Sequence, residues 1–416
     1  MTTYGTVPST VAPSSKSWLG IGREGLMSAG LTGQAVLPTA TVALDKNSYQ
    51  PEDTPKFLPD EAIRGVMAQL YNDVLGVEDA TFSFGGPAFL DTTGYWLDNV
   101  FGDMSSTGTS ASSTTTLNSG GTIGSTQVVL ASGSGYSSAS SVQIDTGSVA
   151  EVVVLSAAPS GGTITFASNP LRFSHSSGAS VSVVVGPYTH KWAILNSGNG
   201  QPPTHTITDW TGLTPTVGAR AYTSACVSQL DFTGNAEQLL MQKVSGNSWL
   251  SQPAQSTPTN TTSFVVPVAN WRSTVQIGGV QNNSFGEWTV SIKRMLQVYW
   301  TAQSAQSPFV IARGGLAITA GINQGVATDE TMLNYLLAGA PLSLQFQVTN
   351  GLTGISELSL TINMTRAVEV KSKPTRNAVL IGYDSEFEAT ANSTDVGGSA
   401  GLGPGTVTLI DNVPTY

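Results

Sequence analysis

The chain is predicted to be mainly β: two packed antiparallel sheets, a sandwich or barrel, with one flanking α-helix and a small inserted all-β domain. Long stretches of the second half alternate apolar and polar residues with period two. Few windows show helical spacing. Between about 105 and 187 charge nearly vanishes, and short β-rich runs follow one another between Gly/Ser turns.

The alternation is clearest around Trp288, Val290, Ile292, Leu296, Val298 and Trp300, interleaved with Glu287, Thr289, Ser291, Lys293 and Gln297. Arg294 breaks it on the apolar side, Met295 and Tyr299 on the polar side. Leu342, Leu344, Phe346 and Val348 alternate with Ser343, Gln345, Gln347 and Thr349, and Leu358, Leu360, Ile362 and Met364 with Glu357, Ser359, Thr361 and Asn363. Successive strand side chains point to opposite faces, so each run has one apolar and one polar, mostly uncharged face. The flanking helix begins at Asp329 and Glu330, whose carboxylates favour the positive end of the dipole. Met332, Leu333, Leu336 and Leu337 form its expected buried stripe, and Gly339 and Pro341 end it.

Residues 1–17 read as an arm, ordered on a neighbour or disordered. Residues 18–104 and 188–416 are expected to form the main domain, with 105–187 inserted as a surface β domain. Asp60 to Leu75 fits an amphipathic helix carrying Ile63, Met67, Leu70 and Val74; Gly65 counts against it, and two strands with a turn fit as well. A second helix is expected from Thr92 to Phe101, capped by Asp91 and closed by Gly102. In the insertion, strands are expected at Gln127–Leu130, Ser141–Ile144, Glu151–Leu155, Thr163–Phe166 and Val181–Val185. Asp145, Glu151 and Arg172 are its charged side chains.

Hydrophobic residues make up 40% of the chain but charged residues only 11%, against about 25% in a typical soluble domain. Polar uncharged groups cost less to desolvate than ions. Such a surface suits burial against copies of the same chain, and equally a secreted or surface β protein. The formal net charge of −10 argues against a protein built to grip nucleic acid. The single cysteine, Cys226, excludes an intrachain disulfide. Met1 to Trp18 lacks a basic start and an apolar core, so no signal peptide is expected, and no run reaches the roughly 20 apolar residues of a membrane helix. Folding in a cytoplasm is expected.

Signatures of catalysis or cofactor binding are missing. His175, His190 and His205 show no metal-ligand spacing, and no nucleophile elbow, phosphate loop or dinucleotide fingerprint occurs. Cys226 lies in a strand-like run and reads as a small buried residue. The glycines around Gly397 and Gly398 read as a flexible loop. No enzyme activity, cofactor or metal is expected. Asp384, Glu386 and Glu388 alternate along a strand and project from one face. They fit a solvated face, a negative lining or a divalent-cation site. Lys371, Lys373 and Arg376 form a basic cluster, expected as an exposed loop that meets an acidic patch on a neighbouring copy.

The strings Pro51-Glu52-Asp53-Thr54-Pro55-Lys56-Phe57-Leu58-Pro59-Asp60-Glu61, Phe82-Ser83-Phe84-Gly85-Gly86-Pro87, Gly200-Gln201-Pro202-Pro203-Thr204-His205-Thr206 and Ala219-Arg220-Ala221-Tyr222 stand out, as does the ending with Pro374-Thr375-Arg376 and Asp395-Val396-Gly397-Gly398. They resemble the tail tube proteins of long-tailed (siphovirus-type) phages of actinobacteria. Leu171 to Ala179 resembles small β modules of phage structural proteins, which implies a turn or packing role for His175. The resemblance implies a structural virion protein of the tail, assembled in the host cytoplasm. Six copies form a ring whose inner sheets join into a barrel, and rings stack around a tape-measure protein. Tail-tip and head-tail connector proteins cap the ends, and DNA passes through without specific binding; no membrane is involved. The chain's acidic balance then predicts a net negative bore, with Asp384, Glu386 and Glu388 as candidates. A tail-tip or capsid-decorating host-adhesion protein is the alternative. A polysaccharide-degrading tail enzyme would need a carboxylate pair in a cleft lined by Trp249, Trp271, Trp288 or Trp300, two of which read as core.

Overall fold

The computed structural model describes residues 14–24, 35–43, 45, 48, 50–167, 169–213, 218–254, 256–302, 305–376 and 379–416. Most of the expected arm, 1–13, lies outside them. The chain is mainly β, with a large antiparallel sheet, a small second sheet and two α-helices.

The large sheet is one hydrogen-bonded network that folds over on itself. Its widest layer runs in the order Gln50–Asp60, Asn72–Pro87, Met241–Ser248, Ala219–Asn235, Phe285–Tyr299, Val310–Gln324, Ile381–Ala389 and Ser359–Arg376. The last strand turns the corner. Residues 367–376 pair with Ile381–Ala389, while 359–363 pair with Thr406–Asp411 in an opposing layer. That layer continues to Ser180–Ile194 and Gly102–Thr116 on one side, and to Leu342–Thr349 and Thr274–Ile277 on the other. The apolar faces meet between the layers: Trp288 and Phe346, one from each, lie with ring centroids 5.3 Å apart. Burying each such side chain stabilises by about 1.5–3 kcal/mol.

Helix α1, Leu90–Phe101, lies in this core and is buried on nearly every side. Its expected cap differs. Asp91 sits inside the first turn, Phe89 is the N-cap, and the Thr92 and Thr93 hydroxyls donate to the Phe89 carbonyl. Gly102 ends α1 in the left-handed region (φ 82°), where a Cβ would meet Pro202 at 2.8 Å. The carbonyls at this end have no helical partner, and two buried arginines satisfy them. Arg294 donates to Val100 O (2.6 Å) and Arg313 to Asn99 O (3.3 Å). Arg294 therefore breaks the apolar alternation because it caps a helix.

Helix α2, Thr331–Ala338, packs on Ser359–Arg376 and ends at Gly339. Its stripe is narrower than expected: Met332 is buried and Leu333 partly so, but Leu337 is exposed, because one turn of contact covers only one side of so short a helix. The amphipathic reading of Asp60 to Leu75 is also corrected. Gln50–Asp60 and Asn72–Pro87 form a long hairpin closed by Tyr71 N donating to Asp60 O (2.9 Å). The apolar side chains that suggested a helix have no surface of this chain to cover.

Within the insertion, strands form at Gln127–Val129, Ser141–Ile144, Glu151–Val154 and Thr163–Thr165. Leu117, Val142, Ile144, Leu155, Ile164 and Val181 belong to a core separate from the main one. Gly102–Thr116 and Ser180–Ile194 run from one core to the other, their pairing shifted in register after Ser182, Val183 and Val185. Among the described residues no helix is long and apolar enough to cross a membrane.

Candidate functional site

Strand Ile381–Ala389 places Asp384, Glu386 and Glu388 on the outer face of the wide layer, as the alternation predicts, with Tyr383, Ser385 and Phe387 buried between them. The basic cluster is not a loop. Lys371, Lys373 and Arg376 lie on the neighbouring strand, where Lys371 faces Glu386, Lys373 faces Asp384 and Arg376 faces Ile381. Alternation is interrupted there by Pro374 and by a register shift after Glu369, so the run looked loop-like in sequence. The Lys371 ammonium contacts Asp384 Oδ2 (3.4 Å) and Glu386 Oε1. The two sites separated in the sequence reading are thus one site.

The face carries both signs. Glu388, Thr319, Ser291, Asp231 and Lys243 stand side by side across five strands, with Lys293 one register step away. Asp231 is bound within the face by Gln229 Nε2 (2.8 Å) and the Ser291 hydroxyl (2.5 Å). Among the described residues no group of three or more His, Cys, Asp or Glu side chains is arranged to hold a metal ion.

The most exposed apolar feature is the Gln50–Pro87 hairpin. Phe57 pairs with Leu75 and Leu58 with Val74, so both faces of the ribbon are apolar, and all four side chains are exposed. At the tip Ile63 and Met67 are essentially fully exposed, at 99% and 102%. Among the described residues the bracing stops short of the tip: Lys56 Nζ lies 4.1 Å from the Trp300 ring centroid, and Gln306 Nε2 donates to Gly76 O (3.0 Å).

The three histidines are buried. Desolvation holds the His205 imidazole down to about 3, so it is neutral and accepts Asn99 Nδ2 at Nδ1 (2.9 Å). His190 Nε2 donates to Val413 O (2.7 Å). His175 is clasped by two carboxylates, Nδ1 to Asp145 Oδ2 (3.2 Å) and Nε2 to Glu151 Oε1 (2.6 Å). Burial opposes its charge, but the Glu151 and Asp145 contacts outweigh it and raise its pKa. Cys226 is buried in strand Ala219–Asn235, and desolvation pushes its thiol up, away from reactivity. The loop at Gly397 is tied down, with Gly398 N (3.2 Å) and Ser399 N (2.7 Å) donating to Asp103.

The sequence offered no direct sign of the junction beneath the insertion. Its three charged side chains converge there. Glu151 accepts Arg172 N (2.9 Å) and Phe173 N (3.3 Å) besides His175, and the Arg172 guanidinium grips Asp98 of α1, which Arg23 also contacts (3.1 Å). Arg172 and Asn169 both donate to the Tyr416 carbonyl. Isolated charges in an otherwise uncharged segment were the available signal, because a buried ion persists only with a partner. No protein-family model and no curated protein matches the chain.

Proposed function

We propose that the chain is the major tail tube protein of a long-tailed phage, a structural subunit without enzymatic activity that stacks as hexameric rings into a conduit for genome delivery. The observation that carries the reading is the Gln50–Pro87 hairpin. A ribbon apolar on both faces is a poor solvent-exposed element and a natural interface element, since contiguous apolar patches mark association sites. The outer sheet face supports it, because its charges of both signs offer no basic stripe that would grip DNA. The buried histidines and the thiol, each with a hydrogen-bond partner inside the fold, support a structural reading of these groups. The tape-measure protein inside, the tail-tip and connector proteins at the ends, and the virion tail as location follow from the same reading.

Negative-stain microscopy of the purified chain tests it. Rings or tubes are the expected result. Isolated particles at all concentrations, or particles that cleave glycans, would overturn it.

A further inference from the structure

We propose that a cleft on the outer face of the opposing layer binds a neutral, polyhydroxylated ligand, the sugar units of a glycan, through amide and hydroxyl groups that the fold leaves without partners. The site is built from residues of one copy of the chain, so it does not depend on assembly.

Strand pairing lines these groups up. Gln276 stands opposite Gln345, Gln345 opposite Asn363 and Asn363 opposite Thr406, one residue from each of four neighbouring strands. At a strand spacing of about 4.8 Å the row is about 14 Å long. The next row along the strands carries Gln347, Thr361, Thr408 and Lys191. Leu344, Phe346, Ile362 and Val407 alternate with these residues and are buried in the core, so the polar side chains face outward. Thr394 and Asp395 of the loop before Thr406–Asp411 form one wall. The cleft has a volume of about 410 Å³, within the range of about 300–1,000 Å³ of small-ligand sites.

The lining selects the ligand. Gln345 Nε2 donates to Asn363 Oδ1 (2.8 Å), which fixes both amides and leaves Gln345 Oε1 to accept and Asn363 Nδ2 to donate. Thr406 lines the cleft and is only 3% exposed, yet its hydroxyl has no hydrogen-bond partner among the described residues. The Gln276 amide, the Thr408 hydroxyl and the Lys191 ammonium also lack partners among them. Asp395 supplies the one carboxylate, but Thr365 N (2.8 Å), Thr365 Oγ1 (2.7 Å) and Asn392 Nδ2 (2.8 Å) already donate to it. It therefore holds the wall in place and offers little to a cation. Leu344 is the only apolar residue of the lining, so an apolar ligand would strand the amides unpaired. A sugar hydroxyl both donates and accepts. A rigid ring presents several at once, which suits a fixed array of donors and acceptors.

Saturation-transfer NMR on the purified chain, with the methyl glycosides of glucose, galactose and mannose and with N-acetylglucosamine, tests the site. Transfer to at least one sugar is expected. The affinity should lie in the millimolar range, because no aromatic ring lines the cleft to stack on a sugar face. Gln345→Ala combined with Asn363→Ala is expected to weaken that binding about tenfold or more. Thr406→Val separates binding from folding. It keeps the shape of the side chain and removes a hydroxyl with no partner in the chain. Melting followed by circular dichroism is therefore expected not to fall, while the sugar binds several-fold more weakly. No transfer to any of the four sugars, binding unchanged in the double variant, or earlier melting with unchanged binding in Thr406→Val overturns the proposal.

Discussion

Arg172 of the insertion and Asp98 of helix α1 form a two-pronged ion pair inside the protein, with Nη2 3.3 Å from Oδ2 and Nη1 on Oδ1, and neither side chain reaches solvent appreciably. The pair ties two separate cores together across a sequence separation of 74 residues. Desolvation disfavours a charged Asp98, but Arg172 and Arg23 outweigh it and hold its pKa below the usual carboxylate value. Arg172→Ala leaves Asp98 with Arg23 alone and removes a donor from the Tyr416 carbonyl. The expected cost is about 3–5 kcal/mol, since an orphaned buried charge is the expensive outcome. Urea denaturation measures it. Asp98→Leu combined with Arg172→Leu should cost clearly less than the sum of the single changes, because neither member of the pair is left facing the other's absence, and only Arg23 loses its carboxylate.

His175 gives the junction a pH dependence of definite sign. Its folded pKa is raised, so the stability contributed by the imidazolium between Asp145 and Glu151 is complete below the unfolded value of about 6.5 and is lost as pH rises through the folded value. Asp98 acts oppositely. Its folded pKa is lowered, so its contribution is present above about 3.9 and is lost as pH falls through the folded value. Amide hydrogen exchange across residues 117–181, corrected for the intrinsic pH effect, should show weaker protection at about pH 9 than at about pH 6 in the wild type. His175→Gln should abolish that difference, and an unchanged difference in the variant would refute the assignment.

Gly94 and Tyr416 are a lock. A Cβ on Gly94 would lie 2.3–2.5 Å from the Tyr416 ring, whose hydroxyl donates to Asp411 and whose centroid lies 5.0 Å from those of Tyr95 and His190. In an open helix Gly→Ala gains up to about 1 kcal/mol. Here Gly94→Ala is expected to destabilise instead, by about 1–3 kcal/mol of overpacking. Tyr416→Ala alone should cost about 3–5 kcal/mol as a large aromatic truncation. In the double variant the Gly94→Ala penalty should vanish. A double-mutant cycle that shows additivity would contradict the contact.

The strands were legible wherever one face packs on the core and the other meets solvent, because that asymmetry is what writes period two. Trp288 to Val298 and Leu342 to Val348 show it. The hairpin defeated the same logic: Phe57, Leu58, Val74 and Leu75 are apolar on both faces, and Ile63, Met67, Leu70 and Val74 fall at helical spacing by coincidence. Helix α1 was legible from Gly102 and its apolar content, but Asp98 and Asn99 gave no hint of burial, since their partners come from residues 23, 172, 205, 225 and 227. The acidic row was readable as a row. Its closeness to Lys371 was not, because the pairing of Lys371 with Glu386 is a register fact and sequence alternation does not fix register.

The hairpin tip separates folding from assembly. Ile63 and Met67 touch little of their own chain, so Ile63→Asp with Met67→Asp should leave the melting of the isolated subunit within about 0.5 kcal/mol of wild type, as for other exposed sites. If the tip is covered by a neighbouring copy, each side chain contributes about 1.5–3 kcal/mol of burial per contact in the assembly, and the introduced carboxylates would have to be desolvated as well. The pair of substitutions is therefore expected to suppress rings or tubes at concentrations where the wild type forms them, with no change in subunit melting. An ionic contact between copies would respond to ionic strength, since such attraction is screened over about 10 Å at 0.1 M salt and about 3 Å at 1 M. The apolar tip should not. Measuring the assembly threshold of the wild type and the tip variant against salt by light scattering distinguishes apolar from ionic contributions. A tip variant that assembles like wild type at every salt concentration would mean that the ribbon stays in solvent.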